Sequence, residues 1–253
     1  MIKGLDIFRR HFEGYSNRYV LIGGVAASLA MEDVGLEFRL TKDLDIVLVV
    51  EAMDVEFGRH FWQFIQEGGY EIRECSESAP QFYRFQKPKN PDFPVMLELF
   101  SRIPDGLTLT EDAHLTPIPI DEAVSSLSAI LLDEAYYNFI LAGTHVTDGI
   151  AWVREDRLIP LKANAWLDMS ERVAQGEAID SKKIRKHLHD VIRLSQLLTT
   201  ETRIEDLPTR VAEDLKRFLG LMLHENVDMK SLGLGKADLP MVVERIRGAY
   251  GLA

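Results

Sequence analysis

Cysteine is nearly absent from this chain of 253 residues. Cys75 is the only one, which excludes an intrachain disulfide and a zinc site built from paired cysteines. Long apolar runs are absent as well: none approaches the roughly 18 residues of a membrane-spanning helix. The opening Met1-Ile2-Lys3-Gly4-Leu5-Asp6 places polar and acidic residues where a signal peptide carries its apolar segment. These absences lead to the expectation of a cytoplasmic protein with no membrane role. Positive charge is scarce, 29 Lys and Arg against 40 Asp and Glu, for a net charge of −11. A protein that coats duplex DNA needs cations to neutralise phosphates, so duplex DNA is not an expected partner. A small nucleotide carried with Mg²⁺ stays compatible. Gly-x-Gly-x-x-Gly is missing, which removes the dinucleotide fingerprint, and no internal repeat or low-complexity tract occurs.

What the chain has is an ordinary globular composition, 46% hydrophobic and 27% charged, enough to bury a core in one large domain or two small ones. Leu5, Phe8 and Phe12 at helical spacing predict an opening helix that ends near Gly14. Phe57, Phe61, Phe64 and Ile65 predict a longer helix over about 53–66, closed by Gly68-Gly69, with these side chains and Trp62 in the core. Strands are expected at 19–22, 41–48, near Tyr70-Glu71-Ile72, at 81–85 and at 93–100. The stretch 114–120 reads as an edge strand, since each proline removes a ladder donor. A helix over 121–133 is expected next, then short strands at 136–141 and 149–153 around a turn at 143–148. From Pro160 onward the pattern is helical, at about 160–174, 181–199, 208–224 and 238–249. The expected division is therefore an α/β domain over 1–158 and a helical domain over 159–253.

The residues that jointly imply a reaction centre on Thr41-Lys42-Asp43-Leu44-Asp45-Ile46-Val47-Leu48. Read as a strand, this segment turns Thr41, Asp43, Asp45 and Val47 to one face and Leu44, Ile46 and Leu48 to the other. The two carboxylates stand about 6–7 Å apart along the strand. Either they line a solvated edge, or a hard cation between them relieves their repulsion. Upstream, the apolar run Tyr19-Val20-Leu21-Ile22 ends at Gly23-Gly24, and Val25 to Met31 reads as a helix of small residues. A strand, a glycine pair and a helix can form a phosphate site, with backbone approach at the glycines and unpaired N–H groups at the helix start. A tight turn packed on the sheet is the alternative. Glu98 is the single acid in Phe93-Pro94-Val95-Met96-Leu97-Glu98-Leu99-Phe100. It is either exposed on a polar face or joined to Asp43 and Asp45 around metal, because an unpaired carboxylate in a buried strand is costly.

In their order, these segments resemble the nucleotidyltransferase fold of the polymerase-beta type, and most closely the AbiEii/AbiGii-type nucleotidyltransferase toxins. Arg39-x-Thr41-Lys42-Asp43-Leu44-Asp45 matches that group's lead into its Asp-x-Asp. The match continues with Ile159-Pro160-Leu161-Lys162-Ala163-Asn164-Ala165-Trp166-Leu167-Asp168 and with Lys186-His187-Leu188-His189-Asp190-Val191-Ile192-Arg193-Leu194, and covers about Tyr19 to Leu198. The chain departs from the wider fold at Val25, where a hydroxyl residue commonly follows or replaces the second glycine; Ser28 comes a turn later.

The resemblance implies an α+β protein, a mixed sheet with flanking helices followed by a helical C-terminal domain. It implies an Mg²⁺-dependent enzyme, with two ions, that moves a nucleotide from a nucleoside triphosphate to a hydroxyl on RNA, protein or a small molecule. A toxin paired with an antitoxin, acting on tRNA or protein, belongs to the same expectation. Asp43, Asp45 and Glu98 are then the catalytic and metal-binding acids. Gly23, Gly24, Ser28, Arg39, Thr41, Lys162, Lys186 and Asp190 are then the nucleotide-binding residues. A snorkelling Lys162, a helical ion pair of Lys186 with Asp190, and a sheet-edge role for Arg39 and Thr41 are the structural alternatives. An inactive binding module of the same fold and a metal-dependent phosphoesterase are the competing functions.

Overall fold

The computed structural model of the chain describes residues 2–74, 82–108, 114–118 and 128–252. The chain divides into two compact units, one of Met1–Leu29 with Arg39–Val153, the other of Ala30–Phe38 with Arg154–Ala253.

The first unit is built on a mixed sheet. Strands β1 (Tyr19–Ile22), β2 (Asp43–Leu48), β3 (Glu71–Glu74), β4 (Phe82–Gln86), β5 (Met96–Ser101), β6 (Leu115–Pro117), β7 (Ser128–Leu131), β8 (Thr144–Thr147) and β9 (Ile150–Val153) run in the order β3-β4-β5-β2-β1-β9-β8, with β7 also on β5 and β6 on β7. Strand β2 is central, antiparallel to β1 and parallel to β5. Its alternation decides which way the sheet faces: Leu44 and Ile46 are fully buried, as are Leu97 and Leu99 of β5 and Phe85 of β4. That apolar face receives helix α3 (Val55–Gly68), whose Phe61 packs 5.8 Å from the Phe85 ring. Helix α1 (Leu5–His11) joins the same layer, with Phe8 5.7 Å and Phe12 5.3 Å from Phe64. The stripe Phe57, Phe61, Phe64 and Ile65 is thus a core stripe. Asp54 starts α3 by accepting the Phe57 N–H at 2.8 Å. Helix α2 (Gly23–Glu32) follows β1 without an intervening loop.

Three expectations in this unit fail. The segment expected as a strand over 136–141 lies in helix α4 (Glu134–Ala142). Tyr136, Tyr137, Phe139 and Ile140 bury one helical face, and the Asp133 carboxylate caps the start by accepting the Ala135 N–H at 2.9 Å. The turn expected over 143–148 is instead strand β8, paired with β9 through a two-residue loop. Asp148 and Gly149 both take positive φ there, 50° and 79°, the combination whose twist suits a tight hairpin. Of the helix expected over 121–133, residues 121–127 lie outside the described residues, and Ser128–Leu131 is strand β7. Gln81, Pro119 and Ile120, expected in strands, also lie outside them.

The second unit holds α5 (Glu155–Ala174), α6 (Ser181–Leu194), α7 (Thr209–Met222) and α8 (Leu239–Tyr250). Trp166 of α5 meets Phe218 of α7 edge to face at 5.4 Å. Helix α5 begins five residues before Pro160, which therefore lies inside it. A proline there removes the N–H that the carbonyl four residues back would accept. That carbonyl belongs to Asp156, and it accepts the Tyr250 hydroxyl at 2.8 Å instead. Tyr250 is buried, and burial holds its hydroxyl well above the ordinary tyrosine range and so protonated as a donor. Among the described residues no helix is long and apolar enough to cross a membrane.

Tyr250→Phe will strip the Asp156 carbonyl of this donor and lower stability by about 1–3 kcal/mol. In the Pro160→Ala background, where a backbone N–H becomes available, the same change will cost clearly less; urea denaturation of the four chains measures both.

Candidate active site

Opposite the apolar face of the first unit's sheet lies a row of charges set by strand register. Asp45 is paired with Ile22 of β1 on one side and with Glu98 of β5 on the other, and Glu98 is in turn paired with Arg84 of β4. Residues paired across strands share a face, so Asp45, Glu98 and Arg84 do. Asp43, two residues earlier on β2 and in register with Met96, points the same way. All four side chains belong to half-buried residues, while Leu44, Phe85, Leu97 and Leu99 between them are buried.

Gly23 ends β1 and opens α2 with φ of 69°. A Cβ built on it would run into the Asp45 carboxylate, so only glycine lets the chain pass there. The start of a helix carries positive potential, and here it lies beside a carboxylate. A Cβ on Gly24 would fall 2.5 Å from Thr41 Oγ1 and 3.6 Å from Arg39 Nη2. The glycine pair therefore sits in a collar of Asp45, Thr41 and Arg39. Thr41 is buried, as is Ser28 a turn into α2, and Val25 is fully buried. Thr41 and Lys42 precede β2 rather than belonging to it, though the Lys42 carbonyl accepts the Val95 N–H at 3.1 Å and carries the pairing back. Lys42 is exposed.

The Glu98 carboxylate, for which sequence offered exposure or metal, has a third solution. Arg84 donates to Glu98 Oε1 through Nε at 2.7 Å and again through Nη2. Among the described residues no three His, Cys, Asp or Glu side chains gather closely enough to hold a metal ion. Asp43 and Asp45 fit Mg²⁺, which commonly takes one or two carboxylates and fills its octahedron with phosphates and water; Glu98, engaged by Arg84, does not enter that set as it stands. Arg84 is a member of this row that no motif in the sequence marks. Its signal was a lone cation between Tyr83 and Phe85, the mirror of the lone acid between Leu97 and Leu99.

In the second unit, Lys162 of α5 and Asp190 of α6 meet at 3.0 Å, with side chains 7% and 0% exposed. The anionic partner that Lys162 requires is thus supplied within its own unit. Lys186, one turn before Asp190, is exposed.

Gly23→Ala will destabilise the protein well beyond the ~1–3 kcal/mol of backbone strain. Gly35→Ala pays the same strain at φ 73° but into open space, so thermal unfolding of the two variants separates strain from collision. Lys162→Met will take a buried cation away from the Asp190 carboxylate and cost about 3–5 kcal/mol, most of it restored by adding Asp190→Leu; chemical denaturation of single and double variants reads this.

No family model matches the chain, and no curated protein does. Among solved structures it is similar to the crystal structure of an antigenic nucleotidyltransferase-like protein from Paracoccidioides brasiliensis, with a TM-score of 0.48 and 16% identity, over 90% of this chain and 89% of that one. Likeness at that level transfers neither fold nor function.

Proposed function

We propose that the chain is an Mg²⁺-dependent nucleotidyltransferase that moves a nucleotide from a nucleoside triphosphate to a hydroxyl on RNA, protein or a small molecule. One observation carries this reading: Asp43, Asp45 and Glu98 share a sheet face, and the Gly23-Gly24 helix start is pressed against Asp45. Asp43 and Asp45 are the residues that would hold the ion. When bound, it neutralises phosphate charge and stabilises the leaving oxygen of an in-line displacement.

The chain's own groups supply the rest. Gly23 and Gly24 let phosphate approach the backbone, and the start of α2 favours an anion. Arg39, beside Gly24, offsets phosphate charge, and Thr41 Oγ1 donates a hydrogen bond to it. Ser28 supports this turn from the core. Glu98 is assigned to the acceptor side, where a carboxylate favours loss of the proton from the attacking hydroxyl. For Lys186, in the second unit, the nucleotide-binding role rests on the motif resemblance alone, whereas Lys162 and Asp190 offset one another. Transfer to tRNA as the toxin of a toxin-antitoxin pair belongs to this proposal and rests on the motif resemblance.

A second reading, a nucleotide-binding module without transfer, draws on the Arg84 grip on Glu98. Incubation with each labelled nucleoside triphosphate, Mg²⁺ and total RNA or protein separates the two. Label will appear in an acceptor pool, and Asp45→Asn will lower the transfer by about 100-fold or more. Binding without transfer favours the module. Release of nucleotide from a diester without any triphosphate would instead make the protein a phosphoesterase and sink both.

A further inference from the structure

The Arg84–Glu98 pair ties one of the assigned acids to a cation that no role has yet used. The Arg84 side chain is 29% exposed and that of Glu98 14%, so water competes only weakly for the pair. Both guanidinium donors converge on the same oxygen, Oε1. Charge-assisted hydrogen bonds of this kind are about twice as strong as neutral ones. The register puts Arg84 directly beside Glu98, because β4 pairs with β5 at these two residues. Within the row of Asp43, Asp45, Glu98 and Arg84, the guanidinium offsets part of the repulsion among the carboxylates, which a cation would otherwise relieve.

We propose that Arg84 is a positioning residue that withholds the Glu98 carboxylate from the divalent cation held by Asp43 and Asp45, so that the resting protein binds metal through two acids and not three. This rests on the reading of Asp43 and Asp45 as metal ligands. Arg84 then acts as a brake on the third acid: Glu98 joins the metal only when another anion takes over the guanidinium, and a triphosphate is an anion of the right charge.

The test is titration of the full-length chain with Mn²⁺, following the magnetic resonance signal of the free ion, with circular dichroism to establish folding. Arg84→Gln will tighten Mn²⁺ by about ten-fold, within the usual range of coupling between sites. Glu98→Gln in the otherwise unchanged chain will alter Mn²⁺ affinity by less than about two-fold, whereas in the Arg84→Gln background it will abolish the gain, a non-additive cycle. An additive cycle, in which Glu98→Gln alone weakens binding as much as Arg84→Gln tightens it, means that the two charges act only through their field and overturns the proposal. So does an Arg84→Gln chain that binds Mn²⁺ as the parent does while Asp45→Asn has lost it; the metal reading then survives and the brake does not. If Asp45→Asn leaves Mn²⁺ binding untouched, the metal reading itself is lost. Should Arg84→Gln fail to fold, Glu98→Gln decides alone: a loss like that of Asp45→Asn refutes the brake, and near-indifference upholds it.

Discussion

The first unit depends on how β2 is seated between β1 and β5. Its register sets Leu44 and Ile46 on the face of Leu97, Leu99 and Phe85, the last of which meets Phe61, and the same register lines up Ile22, Asp45, Glu98 and Arg84 across four strands. The two outcomes are inseparable, because side chains alternate with a period of two and a slip of one residue would turn every one of them over. Burying a leucine and isoleucine face against α3 therefore obliges the acids to share the other. The aromatic stripe of α3 and the charged row are one constraint seen from two sides.

A second regularity joins the two units. Three polar groups set in apolar or proline-interrupted segments each have a partner from elsewhere in the chain. Glu98 has Arg84, Lys162 has Asp190, and the carbonyl that Pro160 cannot serve has Tyr250. The common cause is the cost of leaving a buried polar group unpaired. These pairings differ in what they leave for chemistry. Lys162 and Asp190 neutralise one another in the helical unit, whereas Arg84 stands within the acid row and decides how much of its negative charge is on offer.

Much of the fold was legible. Strands β1, β2 and β5 and helices α1, α3, α6, α7 and α8 carry strong periodicity, and their expected bounds lie within a few residues of those observed. The misreadings have specific causes. Apart from Glu134 and Asn138 the α4 segment is apolar, which leaves too little contrast to separate alternation from helical spacing, and its Asp133 cap favours the helix. The tight Asp148-Gly149 hairpin was absorbed into a broad turn. Pro160 resembled a helix start because the hydroxyl that compensates for it lies ninety-odd residues downstream, at Tyr250.

For the site, sequence by itself determined which residues bear charge, that Asp43 and Asp45 must share a strand face, and that a glycine pair must join a strand to a helix. These follow from local geometry, the two-residue period and the freedom of glycine at positive φ. Only the tertiary structure decided that Gly23 rests on Asp45, that Gly24 faces Thr41 and Arg39, and that Glu98 answers to Arg84. Strand order and register are settled by packing between segments far apart in the chain, and no spacing along a single segment encodes which neighbour a side chain will meet.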